Sequence, residues 1–231
     1  MKYNTLIFDA DDTLFDFKAS EMEALEKTLI GYGVNYDKEY HLPIYKEINT
    51  KIWKELEDGK ITQSELKIER FRRYCNHLNY TFDPYDFADK YMDNLSKSSI
   101  LFHDSLDLIK ELHGKYKLLI ITNGLTKVQN GRIRNSLIAP YFNDIIVSEE
   151  VGVSKPNPEI FKIALENNQI ENLSDILMIG DSLSSDIKGG INFGIDTCFY
   201  NPKKVLINSE IKPTYEISDL KSLLNVVSKF K

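Results

Sequence analysis

The sequence predicts an α/β protein with a doubly wound parallel sheet, interrupted near its start by an all-helical insert. Three observations point to it. Short apolar runs rich in β-formers recur along the chain, and the strongest of them break off into polar residues, as buried parallel strands do. After residue 99, helical patterns alternate with these runs. Between residues 16 and 98 the strand pattern vanishes, and apolar residues recur at three- and four-residue spacings.

Residues 3–8 (YNTLIF) form the first expected strand, and it ends in Asp-Ala-Asp-Asp-Thr at residues 9–13. The insert follows. A helix over 19–31, with Ser20 as its cap, carries Met22, Leu25, Leu29 and Ile30,. Ile44, Ile48, Ile52, Trp53 and Leu56 make a second stripe, stopped by Asp58-Gly59,. Thr62 with Glu65 three residues on reads as a capping box, opening a helix with Leu66, Ile68, Phe71 and Leu78,. Asp83-Pro84 starts a fourth helix, with Phe87, Tyr91 and Leu95 on one face,. Stripes of this kind bury one another in a bundle.

Alternation then sets in. Helices are expected over 104–113, 125–137, 156–167, 184–193 and 218–230. Strands are expected over 117–122, 144–147, 175–179 and 195–200, with a short edge strand over 215–217.

Composition narrows the class of partner. Of 231 residues, 42% are hydrophobic and 28% charged, which is ordinary for a globular protein,. The net charge of −6 is spread evenly: residues 16–99 carry 13 Lys/Arg against 16 Asp/Glu, and the rest 16 against 19. Neither part is basic, so neither a nucleic-acid polymer nor an anionic membrane is the expected partner. Cys75 and Cys198 fall on an expected helix and an expected buried strand and suggest neither disulfide nor zinc site,. Met1 leads straight into the first strand, with no apolar run of membrane-spanning length, so a cytoplasmic location is the expectation,.

The strongest strands share one feature. The first delivers Asp9 and Asp11, the second Thr122-Asn123-Gly124, and the fourth Gly180-Asp181-Ser182 with Asp186 beyond. Lys155 lies before a helix in Gly152-Val-Ser-Lys-Pro-Asn-Pro. The carboxyl ends of parallel strands face one way, so these residues should converge in one crevice. Several carboxylates, one ammonium, and a hydroxyl beside backbone amides suit a divalent cation and a phosphoryl group. Magnesium is the natural metal, because every nearby donor is oxygen.

In order and spacing, these four stretches resemble the motifs of the haloacid dehalogenase-like superfamily. The resemblance runs over nearly the whole chain. It implies a Rossmann-like core of residues 1–15 and 99–231, with a helical cap domain over 16–98. Within the superfamily, DADDTLFDF, TNGLTKVQNGRI and GVSKPNPEIF look most like the bacterial pyrimidine 5'-nucleotidases acting on noncanonical nucleotides.

The resemblance implies a magnesium-dependent phosphomonoesterase acting on a small phosphomonoester, a pyrimidine nucleoside monophosphate being the leading substrate. Asp9 would be the nucleophile, forming an aspartyl-phosphate, and Asp11 the general acid and base. Magnesium would be held by the Asp9 carboxylate, the Asp11 backbone carbonyl and the Asp181 carboxylate. Thr122 and the Asn123 backbone would hold phosphoryl oxygens, and Lys155 would offset charge. Asp186 would either join the metal through water or partner Lys155. The superfamily's dehalogenases lack an aspartate at the position of Asp11, which favours phosphate chemistry. Asp12 is expected to be solvated or structural. A sugar-phosphate or phosphoglycolate phosphatase, a phosphomutase and a non-catalytic binder are the alternatives. The cap would hinge near Asp16 and Ser98 and select substrate. Tyr32, Tyr36, Trp53, Phe71, Tyr74 and Tyr91 could include a stacking partner for a base, with Trp53, Phe71 and Tyr74 the first to test, although helix packing is the commoner job of such residues,. Arg70, Arg72 and Arg73 could bring charge to the cleft, although solvation is the commoner fate of such residues.

Overall fold

The computed structural model describes residues 2–206 and 210–228; at Leu56, Glu57 and Gln63 it describes the backbone alone. The described contacts divide the chain into two compact units: the residues up to Phe17 together with those from Ser99 onward, and Lys18–Ser98.

The first unit is built on a sheet of six parallel strands, ordered β3-β2-β1-β4-β5-β6. The strands are β1 (Thr5–Phe8), β2 (Lys117–Thr122), β3 (Asp144–Val147), β4 (Ile176–Gly180), β5 (Asp196–Tyr200) and β6 (Tyr215–Ile217). Period-2 alternation separates its two faces. Leu6, Phe8, Leu118, Ile120, Leu177 and Ile179 enter one apolar cluster with Leu108, Ile109 and Leu112 of α5 (Ser105–Leu112) and Leu223, Val226 and Val227 of α10 (Leu223–Ser228). Ile7, Leu119, Ile121, Ile176 and Met178 enter the opposite cluster with Ile160, Phe161, Ala164 and Leu165 of α8 (Pro158–Asn167). Both faces of the central strands are therefore covered, which is why they read as continuous apolar runs.

From β1 the chain winds outward to β2 and β3, then returns to lay β4 on the other side of β1. That reversal opens a crevice beyond the carboxyl ends of β1 and β4, the usual ligand position in such sheets. The chain leaves and re-enters this unit at neighbouring points. Phe15 pairs with Leu101, and the Asp16 N–H donates to the Ile100 carbonyl at 2.9 Å.

The second unit holds α1 (Phe17–Gly31, its first residue in the other unit), α2 (Lys38–Glu57), α3 (Gln63–His77) and α4 (Pro84–Ser96). Thr62 caps α3 in a full capping box with Glu65, and the Asp83 side chain accepts from the first amides of α4. Its centre is aromatic: Tyr45, Phe71, Tyr74, Phe87 and Tyr91 are buried, with Phe71 4.8 Å from Tyr91 and 5.3 Å from Phe87 between ring centroids.

Several expectations shift. Helix α1 begins at Phe17, so Ser20 is buried inside its first turns and is not a cap, and Ile30 is exposed. Of the aromatics, Phe71, Tyr74 and Tyr91 are core residues, as helix packing expects, and are not available to stack on a base; Trp53 is 43% exposed. Arg70 is buried, with its guanidinium 4.6 Å from the Phe71 ring, while Arg73 is paired with Glu55 and Glu69 and Arg72 with Glu69.

The helix expected over 125–137 is shorter and divided. A turn, α6 (Thr126–Gln129), runs into a π-helical turn over Asn130–Arg134. The short α7 (Ser148–Val151) follows β3, where no helix was expected. After β4, a π-helical turn over Leu183–Ile187 precedes α9 (Lys188–Phe193). The closing helix starts at Leu223 after a 3-10 turn, and residues 229–231 lie outside the described residues. Cys75 and Cys198 are free and buried, and burial pushes their thiols up to about 11 and about 12. No helix among the described residues is long and apolar enough to cross a membrane.

Candidate active site

Beyond Phe8 the chain turns back around a single acceptor. The N–H groups of Thr13, Leu14 and Phe15 all point to the Ala10 carbonyl, at 3.3, 2.9 and 2.9 Å. Asp12 takes a left-handed conformation (φ 62°) within this turn, which Asp tolerates better than most side chains,. The turn holds Asp9 and Asp11 at the mouth of the crevice and buries Thr13 beneath them.

Asp9 is buried and gripped at both oxygens. Lys155 Nζ donates to Oδ1 at 2.6 Å, and Thr13 Oγ1 to Oδ2 at 3.2 Å. The same threonine oxygen lies 3.3 Å from Asp181 Oδ1. Lys155 also reaches Asp186 Oδ1 at 2.8 Å and the Ile121 carbonyl at 2.6 Å. The Asn123 side chain exchanges two 2.9 Å hydrogen bonds with the Lys155 backbone, tying the end of β2 to the lysine loop. Asp186 is held in turn by the Ser182 N–H at 3.0 Å. A Cβ on Gly180 would sit 2.3 Å from Asp186 Oδ2, so only glycine at the end of β4 lets that carboxylate approach,.

Oxygens of Asp9, Asp181 and Asp186 lie within 4.8 Å of one another. Among the described residues of this cluster, three acidic side chains face one ammonium, that of Lys155, in a mostly buried site. Burial raises the Asp9 carboxyl well above its usual range; Lys155 opposes this, while Asp186 and Asp181 add to it. Burial by itself lowers the Lys155 ammonium, but Asp186 and Asp9 more than compensate, and its net shift is upward. An all-oxygen donor set in which acids outnumber bases fits a hard divalent cation such as magnesium,. Of its two expected roles, Asp186 takes that of partner to Lys155, and its carboxylate also lies in the acidic group.

Asp11 stands apart from this group. Its carboxylate accepts from Arg132 Nη1 at 2.6 Å and from Gln129 Nε2 at 2.8 Å. Gln129 Nε2 also donates to Thr122 Oγ1 at 3.0 Å, and the Ser148 hydroxyl oxygen accepts from the Gly124 N–H at 3.1 Å. A Cβ on Gly124 would fall 2.5 Å from Gln129 Nε2, so this glycine makes room for the glutamine. Asp9, Asp181, Asp186 and Lys155 are thus brought together in one cluster, and Asp11 and Thr122 are joined through Gln129. Thr13, Gln129, Arg132 and Ser148 were not singled out from the sequence. For Gln129 and Arg132 the only signal was their place in TNGLTKVQNGRI.

Residues 6–200 match the family model of haloacid dehalogenase-like hydrolases. The pyrimidine 5'-nucleotidase PynA of Streptococcus pneumoniae is 37% identical, over 99% of this chain and 97% of its own length. The pyrimidine 5'-nucleotidase YjjG of Escherichia coli is 33% identical, over 99% of this chain and 100% of its own. A crystal structure of the HAD-hydrolase YfnB of Bacillus subtilis, bound to magnesium, is similar with a TM-score of 0.91 at 37% identity, covering 99% of this chain and 100% of that one. Sheet order, crevice and similarity agree: the chain belongs to the haloacid dehalogenase-like hydrolases.

Proposed function

We propose that this hydrolase is a magnesium-dependent phosphomonoesterase that removes phosphate from pyrimidine nucleoside 5'-monophosphates through an aspartyl-phosphate on Asp9. The observation that carries the reading is the pair of carboxylates two residues apart. Asp9 is fixed by Lys155 and Thr13 as a nucleophile, and Asp11 is held separately as an acid and base. The names of the relatives PynA and YjjG support the substrate class.

The Asp9 carboxylate, the Asp11 backbone carbonyl and the Asp181 carboxylate would hold magnesium, with Asp186 beside them. When bound, the cation offsets negative charge on the phosphoryl group and on the nucleophile. An Asp9 oxygen attacks phosphorus while the ester P–O bond breaks, and protonated Asp11 gives its proton to the leaving alcohol oxygen. Asp11, now a carboxylate, takes a proton from water as the water oxygen attacks phosphorus and the bond from Asp9 to phosphorus breaks. Inorganic phosphate leaves, and both aspartates return to their starting forms. Lys155 keeps Asp9 oriented and balances its charge throughout. The Thr122 hydroxyl and the Asn123 backbone bind phosphoryl oxygens, a division of labour supported by the Asn123 side chain being engaged with Lys155. Residues 16–98 act as a cap that selects substrate; the reading is supported by the entry and exit of this insert directly after the Asp9 loop.

Phosphate release from a panel of pyrimidine and purine nucleoside monophosphates, hexose phosphates and phosphoglycolate, with magnesium and with EDTA, tests this. Pyrimidine nucleotides should be turned over fastest, and chelation should stop the reaction until magnesium is restored. Preference for a sugar phosphate would overturn the substrate, and full activity in EDTA the metal.

A further inference from the structure

Arg132 is a side chain that the reaction as outlined does not use. Its exposure is 0%, although a guanidinium is costly to bury,. It lies against Phe17 and Phe15, 4.9 and 5.8 Å from their ring centroids, and its Nη1 reaches Asp11 Oδ1. The same nitrogen donates to Gln129 Oε1 at 3.1 Å. Gln129 closes the ring by donating from Nε2 to the other Asp11 oxygen. Nη1 carries two protons and the glutamine amide two, and each has an acceptor: Asp11 and Gln129 for the former, Asp11 and Thr122 for the latter,. The glutamine is fixed in its flip state, because reversal would set its oxygen against the carboxylate. Among the described residues no other side chain bonds the Asp11 carboxylate.

From this closed ring we infer that Arg132 and Gln129 are positioning residues. They clamp the Asp11 side chain in one orientation and, through Thr122, in register with the phosphoryl-binding end of β2. The inference rests on Asp11 being the acid and base of the proposed reaction. Three features set the clamp apart from an ordinary structural ion pair. Asp11 sits on a turn with nothing else to restrain its side chain. The π-helical turn over Asn130–Arg134 starts directly after Gln129 and carries Arg132. Gly124 is kept free of a side chain where Gln129 passes. Without the clamp the carboxylate would be free to change rotamer, and the proton would no longer be delivered at a fixed point. A displacement of about 1 Å in a reacting group is enough to lose about a hundredfold in rate.

The test separates proton delivery from everything else by leaving group. A nucleoside needs a proton on departure, whereas 4-nitrophenolate does not. Single-turnover release of each is measured for the parent, Asp11→Asn, Arg132→Met and the double variant, all with magnesium. Arg132→Met should slow nucleoside release about a hundredfold and the first release of nitrophenolate less than about tenfold. In the Asp11→Asn background it should have little further effect, because the group it positions is gone. If Arg132→Met does not fold, Arg132→Lys is read instead; it keeps a cation in the slot, cannot bridge Asp11 and Gln129 in the same way, and should show the same split. If Asp11→Asn slows both leaving groups alike, the acid–base reading itself fails. If Asp11→Asn shows the split while the arginine variants slow both releases equally, or add fully to Asp11→Asn, the clamp alone is overturned.

Discussion

At Asp9, one oxygen faces Lys155 and the other Thr13, in a site with two further acids. Asn in its place keeps the shape and the acceptor for Lys155 but lacks a nucleophilic oxygen. Asp9→Asn should therefore lower turnover by roughly three orders of magnitude or more. Its stability in EDTA should equal or exceed that of the parent, since one of three crowded acids is neutralised. Phosphate release and thermal melting in EDTA check both halves; turnover within tenfold of the parent would refute the nucleophile. Asp9, Asp11, Thr122, Lys155 and Asp181 were legible because each marks the end of a strand or a loop before a helix. Arg132 and Gln129 were not. Their bonds to Asp11 span 121 and 118 residues, and a polar residue on a helical stretch reads as solvated until the fold supplies its partner.

Local rules predicted helices well where their signals are local. The Thr62–Glu65 capping box and the Asp83 cap are present as read. The division of residues 126–134 into an α turn and a π turn was invisible, because the one-residue offset leaves the apolar spacing almost unchanged,. The same holds for the π turn that carries Asp186. Apolar spacing also could not tell core aromatics from surface ones. Phe71 is packed among Tyr45, Phe87 and Tyr91, whereas Trp53 lies at the surface, 43% exposed. Phe71→Ala should cost about 3–5 kcal/mol of stability, and Trp53→Ala within about 0.5 kcal/mol of nothing. Urea denaturation of the two variants measures the contrast. Equal losses would mean that Trp53 also belongs to the core.

For the whole molecule, the cluster of acids at the crevice should make stability depend on a bound cation,. A ligand that binds only the folded state at about a hundred times its Kd adds about 2.7 kcal/mol. In a chain of this size that corresponds to a rise in melting temperature of roughly 5–10 °C. Magnesium should produce such a rise in the parent and much less of one in Asp181→Ala, a readout independent of turnover. An equal rise in both would remove Asp181 from the metal site.

Amino-acid order alone is enough to read the doubly wound sheet, the run of helices between its first two strands and most of the residues that meet in the crevice. These are written in period-2 apolar runs, in caps and in polar residues at strand ends, all of which act over a few neighbouring positions. Which acid pairs with which base is settled only once the chain is folded. Asp186 bonds Lys155 and lies with Asp9 and Asp181, while Asp11 turns away to Arg132 and Gln129. A charge is assigned its partner by distance and burial, and neither exists until the order of β2, β1 and β4 brings remote loops to one edge of the sheet,.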